Sequence, residues 1–566
     1  MAKNNTLHIA MFPWLALGHL IPYLELAKLI AKKGHTISFI STPRNIDRLQ
    51  KLSPNLVPLI HFVKLPLPHV ENLSRDAEAT SDVPLKDIGL LEKAYDHLQE
   101  PLKLNIPTCF FSIFIAAPLC YMCPASGDED HRRVVEDYTV TPKWITIPSS
   151  VSYRLFESRK LFPSMTGNEE NVPLPFRFRE TLKGCDLIAV RTCIEVEHDY
   201  LNLLEQLHRK PVIPIGVLPN QISGGDDDET IDTHWRCIRE FLDSKEKGSV
   251  VYVAFGSEAK PNQEELNEIA LGLELSGLPF FWVLRKRRGA ADTEVVELPD
   301  GFEERVKSRG VVFTSWAPQM KILAHDSVGG LLTHSGWSSV VEALQFARAL
   351  VLLTFYADQG LNAKFFEEKK VGFLVPRQEH DGSFTRKSVA ESLRMVIVEE
   401  EGKVYRDKAK ELKGLLGDVH RQNLLILKIH FSLHLLRSLP ILPTLFSKAP
   451  VSSSDTPPYL DLFEFPQLMA TPAQVERSMS YDEHRPRTSP LDLPSLLLHG
   501  RIVYIGMTLV AVVMELVVAE LMYLQWLDPK APIYNYINST GTTHDDGETL
   551  SFVSSCETLY VEIERY

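Results

Sequence analysis

Short apolar strands alternate with helical segments over roughly the first 420 residues, and this alternation restricts the chain to an α/β fold. The first unit is "LHIAMF", a strand, followed by the helical stretch "HLIPYLELAKLIAKKGH" and the strand "TISFIST". The apolar positions that share one face of the helix include Leu20, Leu24, Ala27 and Ile30, and Gly34 ends it. This order favours a doubly wound parallel sheet, whose ligand crevice lies beyond the carboxyl ends of its strands.

A second block repeats the alternation and predicts a second parallel sheet. Its strands are "SVVYVAFGS", "FFWVLR", "VVFTSW", "VGGLLTH" and "ALVLLTF", separated by helical patterns such as "NQEELNEIALGLELSG". The polar stretch "LPNQISGGDDDETIDT" (218–233) lies between the two blocks and is a linker candidate. Two sheets joined in this way face each other across a cleft, which is a preferred place for a ligand.

Composition excludes several classes of protein. The formal charge of −13 over 566 residues, without a Lys/Arg-rich block, argues against a nucleic-acid binder. Seven scattered cysteines form no disulfide framework and favour a reducing compartment. Cys120 and Cys123 form a lone CxxC without the further ligands of a zinc site, so ordinary packing is expected there.

Targeting and membrane signals are weak, which predicts a cytoplasmic protein without an integral membrane span. "MAKNNTLHIAMFPW" enters a strand at once and lacks the apolar stretch of a signal peptide. The apolar region 502–524 is interrupted by Glu515 and Glu520, and 424–446 carries charged and histidine residues and a proline. A membrane-surface role for 424–446 is the weaker alternative.

The stretch "LTHSGWSSVVEAL" (332–344) ends a predicted strand and opens a helix. Backbone N–H groups and the positive end of the helix dipole converge around His334 to Ser339, and such a helix N-terminus attracts phosphate. Glu342, one turn further on, carries a carboxylate suited to paired sugar hydroxyls. The residues alone fit equally a serine-capped helix with His334 in the core.

Two other strand ends favour the ligand-binding alternative. Trp316 in "TSWAPQ" offers a flat indole on which a base could stack, and Asp358 and Gln359 in "LLTFYADQ" offer an acid and an amide for hydroxyl groups. An aromatic plate, an anion cradle and a hydroxyl-binding pair correspond to the base, diphosphate and sugar of a nucleotide-sugar.

The 44-residue run from Trp316 to Gln359, "WAPQMKILAHDSVGGLLTHSGWSSVVEALQFARALVLLTFYADQ", resembles the signature box of plant family 1 UDP-glycosyltransferases. The resemblance extends over about residues 7–420 and includes "FPWLALGHLIPYLELAKLIA" and "VVYVAFGSE". It implies a GT-B architecture, in which two Rossmann-like doubly wound domains form an acceptor site and a UDP-sugar site. "HSGWSSVVEALQF" is similar to the sugar-on-sugar branch, often rhamnosyltransferases of flavonoid or terpenoid glycosides in plant secondary metabolism.

The resemblance also implies roles for individual residues. Trp316 would stack on uracil, Ala317 and Gln319 would contact the base and ribose, and Glu342 would bind the ribose hydroxyls. The residues that would surround the diphosphate are Ser257, His334, Gly336, Trp337, Ser338 and Ser339. Asp358 and Gln359 would hold the transferred sugar. The family usually has cysteine and asparagine where this chain has Ser335 and Ser338.

His19 matches the family's catalytic base. It lies between the first strand and its helix, where a neutral imidazole could take the proton from an acceptor hydroxyl as that oxygen attacks the anomeric carbon and UDP leaves with inversion. No cofactor and no metal are expected, since the UDP-sugar is a co-substrate. The expected partners are that UDP-sugar and a small-molecule glycoside acceptor.

The family pattern breaks near residue 104. Its members orient the histidine with an aspartate at the end of a later strand, but "LEKAYDHLQEPLK" here runs directly into "LNIPTCFFSIFIAAPLC". A strand and helix of about 30 residues are therefore missing, with the aspartate. Asp128 and Asp130 match no motif. Loss of an internal strand should leave backbone N–H and C=O groups unpaired or force a new strand pairing. Because the orienting aspartate is lost as well, poor turnover is expected.

A second break follows residue 420. "LPILPTLFSKAPVSSSDTPPYLDLFEFPQ" is rich in proline and serine and reads as a disordered connector. Beyond it, 480–549 resembles the amino-terminal part of a plastid Clp protease subunit of the non-catalytic R-type, with "RIVYIG" and "PIYNYINS" as strands around the helical "MELVVAELMYLQWL". No segment supplies the nucleophilic serine and histidine of a peptidase.

The leading interpretation is a UDP-sugar-dependent glycosyltransferase of impaired activity, joined to a Clp-like fragment. The predicted segments are an acceptor-binding domain (1–217), a linker (218–233), a UDP-sugar-binding domain (234–420), a connector (421–479) and a partial Clp-like segment (480–566). The alternatives are a non-catalytic Clp-related subunit, whose tail would contact Clp ring subunits, and a fused or mispredicted gene product without activity.

Overall fold

A computed structural model describes most of the first 418 residues and four short strands beyond them. The described ranges are 6–84, 87–98, 106–124, 130–167, 171–219, 229–256, 259–285, 295–418, 502–505, 534–537, 542–543 and 549–550. The chain divides into two compact units, Met1–Pro440 and Ile441–Tyr566. The predicted connector and the predicted helix of the Clp-like segment lie outside the described ranges.

In the described part of the first domain there are six parallel strands and seven α-helices. The strands are β1 (His8–Met11), β2 (Thr36–Ser41), β3 (Ile60–Lys64), β4 (Cys109–Ser112), β5 (Leu187–Val190) and β6 (Val212–Pro214). The helices are α1 (Leu17–Ala31), α2 (Pro43–Asp47), α3 (Ile88–Asp96), α4 (Ala116–Met122), α5 (Leu155–Thr166), α6 (Leu174–Gly184) and α7 (Ile194–His208). The strands form two separate three-stranded sheets, β1-β2-β3 and β4-β5-β6.

The division of this domain into two sheets follows the break near residue 104. Within the described ranges, β1 pairs only with β2, and β4 pairs only with β5. Residues of both β1 and β4 line one large cavity. Side chains connect the sheets, because Met11 and Phe111 share one apolar cluster and the Tyr23 hydroxyl donates to the Phe111 carbonyl at 2.9 Å. Unpaired strand edges are the first of the two outcomes expected of a lost strand.

The second domain contains one six-stranded parallel sheet. Its strands are β7 (Val250–Ala254), β8 (Phe280–Val283), β9 (Gly310–Phe313), β10 (Val328–Thr333), β11 (Ala349–Leu352) and β12 (Gly372–Leu374). Its helices are α8 (Glu229–Asp243), α9 (Gln263–Ser276), α10 (Phe302–Val306), α11 (Gln319–Ala324), α12 (Trp337–Leu344), α13 (Gln359–Glu368), α14 (Arg386–Ile397) and α15 (Lys403–Leu416). The apolar runs of β7 and β11 are buried along their whole length, as in a sheet covered on both faces.

Strand order places the crevice of this domain. The sheet runs β12-β11-β10-β7-β8-β9, so the chain leaves β7 in one direction and β10 in the other. A doubly wound sheet binds its ligand at such a switch point, beyond the carboxyl ends of the two strands. The loop from Thr333 to Gly336, which ends β10 and opens α12, lies at this point.

The structure differs from the prediction at the start of two helices and in one additional strand. Helix α1 begins at Leu17, so His19 lies in its first turn rather than in the preceding loop. Helix α8 begins at Glu229, inside the predicted linker. The sixth strand, β12, was not predicted because "GFL" is too short to show a period.

Cys120 and Cys123 are free thiols buried in the core around α4, in agreement with ordinary packing. In the second unit, β13 (Ile502–Ile505) pairs in parallel with β14 (Tyr534–Ile537), and β15 (Thr542–Thr543) pairs antiparallel with β16 (Thr549–Leu550). Among the helices that the structure describes, none is long and apolar enough to cross a bilayer.

The split sheet predicts a pattern of hydrogen exchange. Peptides covering β1 and β4 should exchange their amide hydrogens roughly tenfold faster, or more, than peptides covering β7 and β10, which have a strand on each side. Mass spectrometry after deuterium labelling measures this, with β9, an edge strand of the intact sheet, as the internal reference. Equal protection of β1, β4, β7 and β10 would contradict the split.

Candidate functional site

A cavity of about 3060 Å³ joins the strand ends of the first domain to those of the second. The predicted site residues that line it are His19, Trp316, Gln319, His334, Gly336, Trp337, Ser338, Ser339, Glu342, Asp358 and Gln359. Ala317 is buried and does not belong to this lining, and Ser257 lies outside the described residues. The fold therefore brings together residues that are up to 340 positions apart in the sequence.

The N-terminus of α12 decides between the two interpretations of "LTHSGWSSVVEAL". Its N-cap is Gly336, and no side chain caps the helix. The first N–H groups of a helix lack intrahelical partners, and here no serine hydroxyl satisfies them. Ser338 and Ser339 instead lie in the first turn, beside the cavity. The alternative of a serine-capped helix is therefore wrong, and the arrangement fits the predicted anion cradle.

His334 is held between two glycines. A Cβ atom at Gly336 would lie 2.3 Å from its Nε2, and one at Gly256 would lie 2.8 Å from its Cε1. Burial lowers the pKa of His334 to about 4, so the imidazole is neutral at pH 7. A neutral ring retains one N–H donor, which suits a hydrogen bond to a phosphate oxygen without adding charge.

A polar chain lies beside the exposed indole of Trp316. The Gln319 amide donates to the Glu342 carboxylate at 2.5 Å, and the Tyr252 hydroxyl donates to the Gln319 carbonyl at 3.1 Å. The indole of Trp316 is 56% exposed, which is unusual for tryptophan and leaves it open to stacking. These residues fit the base and ribose of a nucleotide.

Asp358 and Gln359 begin α13 at the third strand end. Burial raises the pKa of Asp358 to about 6, and its carboxylate accepts a hydrogen bond from Asn362 at 2.7 Å. The Gln359 carbonyl oxygen accepts the backbone N–H groups of Phe355 and Tyr356 at 2.9 and 3.2 Å. Its amide NH₂ is thus the group left for a ligand, which refines the predicted acid-amide pair to one acceptor and one donor.

His19 reaches the cavity from the first turn of α1. Its Nδ1 is buried and has no hydrogen-bond partner among the described residues, and its ring packs edge-on against Phe114 with centroids 5.5 Å apart. Burial lowers its pKa to about 3. Asp128 lies outside the described ranges, and the Asp130 carboxylate is engaged by Arg132 at 2.8 Å. The expected orienting acid is missing from the described surroundings of this histidine.

Trp337 and Arg191 depart from the prediction. The Trp337 indole donates to the Arg191 backbone carbonyl at 2.6 Å and stacks on Phe366, so only the backbone of Trp337 remains for a diphosphate. Arg191 was not predicted, although its guanidinium donates to Ser338 at 2.6 Å. Its only sequence signal is a basic residue directly after the apolar run "LIAV".

Comparison with known proteins identifies the family of the chain. The family model "UDP-glucoronosyl and UDP-glucosyl transferase" matches residues 201–422. UDP-glycosyltransferase 91A1 of Arabidopsis thaliana is 51% identical over 451 residues, covering 74% of this chain and 95% of the relative. The chain belongs to the plant UDP-glycosyltransferase family. Soyasaponin III rhamnosyltransferase of Glycine max is 40% identical, covering 75% of this glycosyltransferase and 94% of the relative.

Solved structures establish the GT-B fold of the glycosyltransferase. Medicago truncatula UGT71G1 complexed with UDP-glucose has a TM-score of 0.55 at 21% identity. The match covers 76% of this chain and 98% of the Medicago chain. TcCGT1 in complex with UDP has a TM-score of 0.57 at 21% identity, covering 76% of this chain and 100% of its own. In the tail, the family model "Clp protease" matches residues 487–550, in agreement with the predicted resemblance.

The alignment with the Arabidopsis relative also bears on the break. It spans 451 positions but covers 74% of the 566 residues, or about 419, so roughly 30 positions of the alignment have no counterpart in this glycosyltransferase. This agrees in size with the strand and helix that the sequence pattern lacks near residue 104.

The glycine contacts of His334 predict the effect of one methyl group. Gly336→Ala should weaken UDP binding tenfold or more, because the new Cβ displaces the imidazole from the anion cradle. Isothermal titration calorimetry with UDP measures the change. Gly414→Ala, at an α15 position where a Cβ meets nothing within 4 Å, is the matched control and should bind as the unaltered chain does. Equal affinities in all three proteins would contradict the role of His334.

Proposed function

We propose that this glycosyltransferase binds a UDP-sugar in its second domain and transfers the sugar slowly, with inversion, to a hydroxyl of a small-molecule glycoside. The observation that carries the proposal is an asymmetry of the cavity. The residues proposed for stacking, ribose and diphosphate line the donor end, whereas the proposed base at the acceptor end has an Nδ1 without a partner among the described residues.

The donor end supports each part of a UDP-sugar. Trp316 is open for uracil, and Glu342 with Gln319 is placed for the ribose hydroxyls. The uncapped start of α12 and the neutral His334 suit the diphosphate. Asp358, as a carboxylate acceptor, and the Gln359 amide, as a donor, suit the hydroxyls of the transferred sugar.

The acceptor end is aromatic. Phe12 and Tyr95 stack with ring centroids 4.8 Å apart, and Trp14 packs edge-on against Tyr95 at 5.0 Å. All three line the cavity, so this end suits a flat or rigid apolar aglycone. The name of the Glycine max relative specifies rhamnosyl transfer to a soyasaponin, which supports a terpenoid or flavonoid glycoside as acceptor and rhamnose as the sugar.

His19 is the group proposed to take the proton from the acceptor hydroxyl. As the hydroxyl oxygen bonds to the anomeric carbon, the bond to UDP breaks on the opposite face and the configuration inverts. With a pKa of about 3, His19 is neutral but a weak base. An acid on Nδ1 would fix the tautomer and stabilise the imidazolium, and in a protease triad its loss lowers the rate about 10⁴-fold. Slow transfer follows.

Calorimetry with UDP tests the donor site separately from turnover. The unaltered chain should bind UDP, and Trp316→Ala and Glu342→Ala should each weaken binding by roughly tenfold, because stacking and charged hydrogen bonds are each worth about 1–3 kcal/mol. Glu304→Ala changes an exposed acid outside the cavity and serves as the control. Unchanged affinity in both site variants would show that the nucleotide site is wrongly assigned.

Restoring the missing segment tests the explanation of slow transfer. Insertion of the corresponding strand and helix of the Arabidopsis relative near residue 104 should raise kcat by roughly 10²–10⁴-fold with UDP-rhamnose and a flavonoid glycoside, at unchanged UDP affinity. A titration of kcat/KM should then appear near neutral pH, since a carboxylate raises the pKa of His19 from about 3.

The control is the same insertion with asparagine in place of the strand's terminal aspartate, which should restore the sheet but only part of the rate, because the carboxylate is still missing. Transfer by the unaltered chain at about 1–10³ per second would overturn the proposed impairment.

A further inference from the structure

The residues predicted for the diphosphate site do not include a cation that could offset the negative charge of the ligand. A diphosphate is an anion, yet the donor-site residues predicted from the sequence include two carboxylates, Glu342 and Asp358, and no lysine or arginine. His334 is neutral at pH 7, because burial lowers its pKa to about 4. Helix dipoles contribute only about half a charge at an N-terminus. Cationic residues outside that predicted set also line the cavity, among them Lys260 and Arg285 of the second domain and Arg191 of the first.

Arg191 provides a buried cation at the right end of the cavity. It directly follows β5 of the first domain, is 3% exposed and lines the cavity. Its Nη1 donates to the Ser338 hydroxyl in the first turn of α12 at 2.6 Å. Burial lowers its pKa to about 10, so it is still charged at pH 7.

The guanidinium has donors to spare. Its Nε donates to the Val217 carbonyl at 2.8 Å, and its Nη2 makes a long contact of 3.5 Å to the Leu218 carbonyl. Together with Ser338, these partners account for three of its five N–H groups among the described residues. The other two are available to phosphate oxygens, for which the planar fork of an arginine is well suited.

The contact between Arg191 and Ser338 is a link between the two domains. The contact joins residues 147 positions apart and crosses from the first domain to the second.

We infer that Arg191 binds the diphosphate of the UDP-sugar, together with the N-terminus of α12, and thereby connects donor binding to Val217 and Leu218, in the segment that follows β6. The inference rests on the proposed function and adds to it a cationic residue from the opposite domain. Leu218 has a left-handed backbone (φ 48°), a conformation unfavourable for leucine, and its carbonyl accepts the long contact from Arg191. The same side chain would therefore contact both the ligand and this segment.

The test compares UDP with uridine, which has the same base and ribose but no phosphate. Arg191→Met should weaken UDP binding at least tenfold and leave uridine binding within twofold, with calorimetry for UDP and ligand-observed NMR for uridine. Arg348→Met is the matched control, because Arg348 also donates to two backbone carbonyls, of Leu323 and His325, but lies outside the cavity. It should leave both affinities unchanged.

Arg191→Lys is a second variant, in case the methionine variant does not fold. Thermal melting is recorded for every protein to show that it is folded. Lysine keeps the charge but loses the fork, so the preference for UDP over uridine should fall about threefold to tenfold. An unchanged preference in the folded Arg191 variants overturns the inference while the proposed function stands. If the unaltered chain binds neither UDP nor uridine, the proposed function fails, and the role of Arg191 fails with it.

Discussion

The site depends on a helix that begins without a side-chain cap. The chain leaves the paired strands β7 and β10 in opposite directions, and α12 starts at this switch point at Trp337, after a loop that turns through Ser335 in a left-handed conformation (φ 72°). A serine hydroxyl at the cap would satisfy one of the first N–H groups of the helix and leave fewer of them for an anion. Because the cap is a glycine packed against His334, these N–H groups are left for a ligand in the cavity.

The second domain was predictable because its signals are local. Buried parallel strands are continuous apolar runs, and the functional residues follow them directly, so strand ends and site residues could be located together. Trp316, His334, Glu342 and Asp358 therefore all face the cavity as expected. Strand β12 was missed because three residues show no period, and the start of α8 was missed because its first residues continue the polar composition of the preceding stretch.

Long-range contacts could not be predicted in the same way. Arg191 and Ser338 are distant in sequence, and nothing in "LIAVR" distinguishes a cavity arginine from a surface one. The orientation of the Gln359 amide depends on two backbone N–H groups of the preceding loop. These groups lie beyond the end of β11, so the sheet does not use them. Trp337 was assigned to the ligand by its position in a motif, but its indole is used to join the domains. Such roles depend on which partner the fold supplies.

The missing strand separates the base from the donor. His19 is carried by α1, which packs with β1 and β2, whereas the donor helix α12 is joined to β5 through Arg191 and Trp337. In an uninterrupted sheet a backbone ladder would fix the distance between these two groups. Here side chains alone span the gap, chiefly the Tyr23 hydroxyl on the Phe111 carbonyl and the apolar cluster around Met11. A misplacement of about 1 Å between reacting groups can lower a rate about 10²-fold. Slow transfer thus has two separable causes. His19 lacks an orienting acid, and no backbone ladder fixes its distance from the donor helix. Adding a carboxylate alone would remove only the first cause.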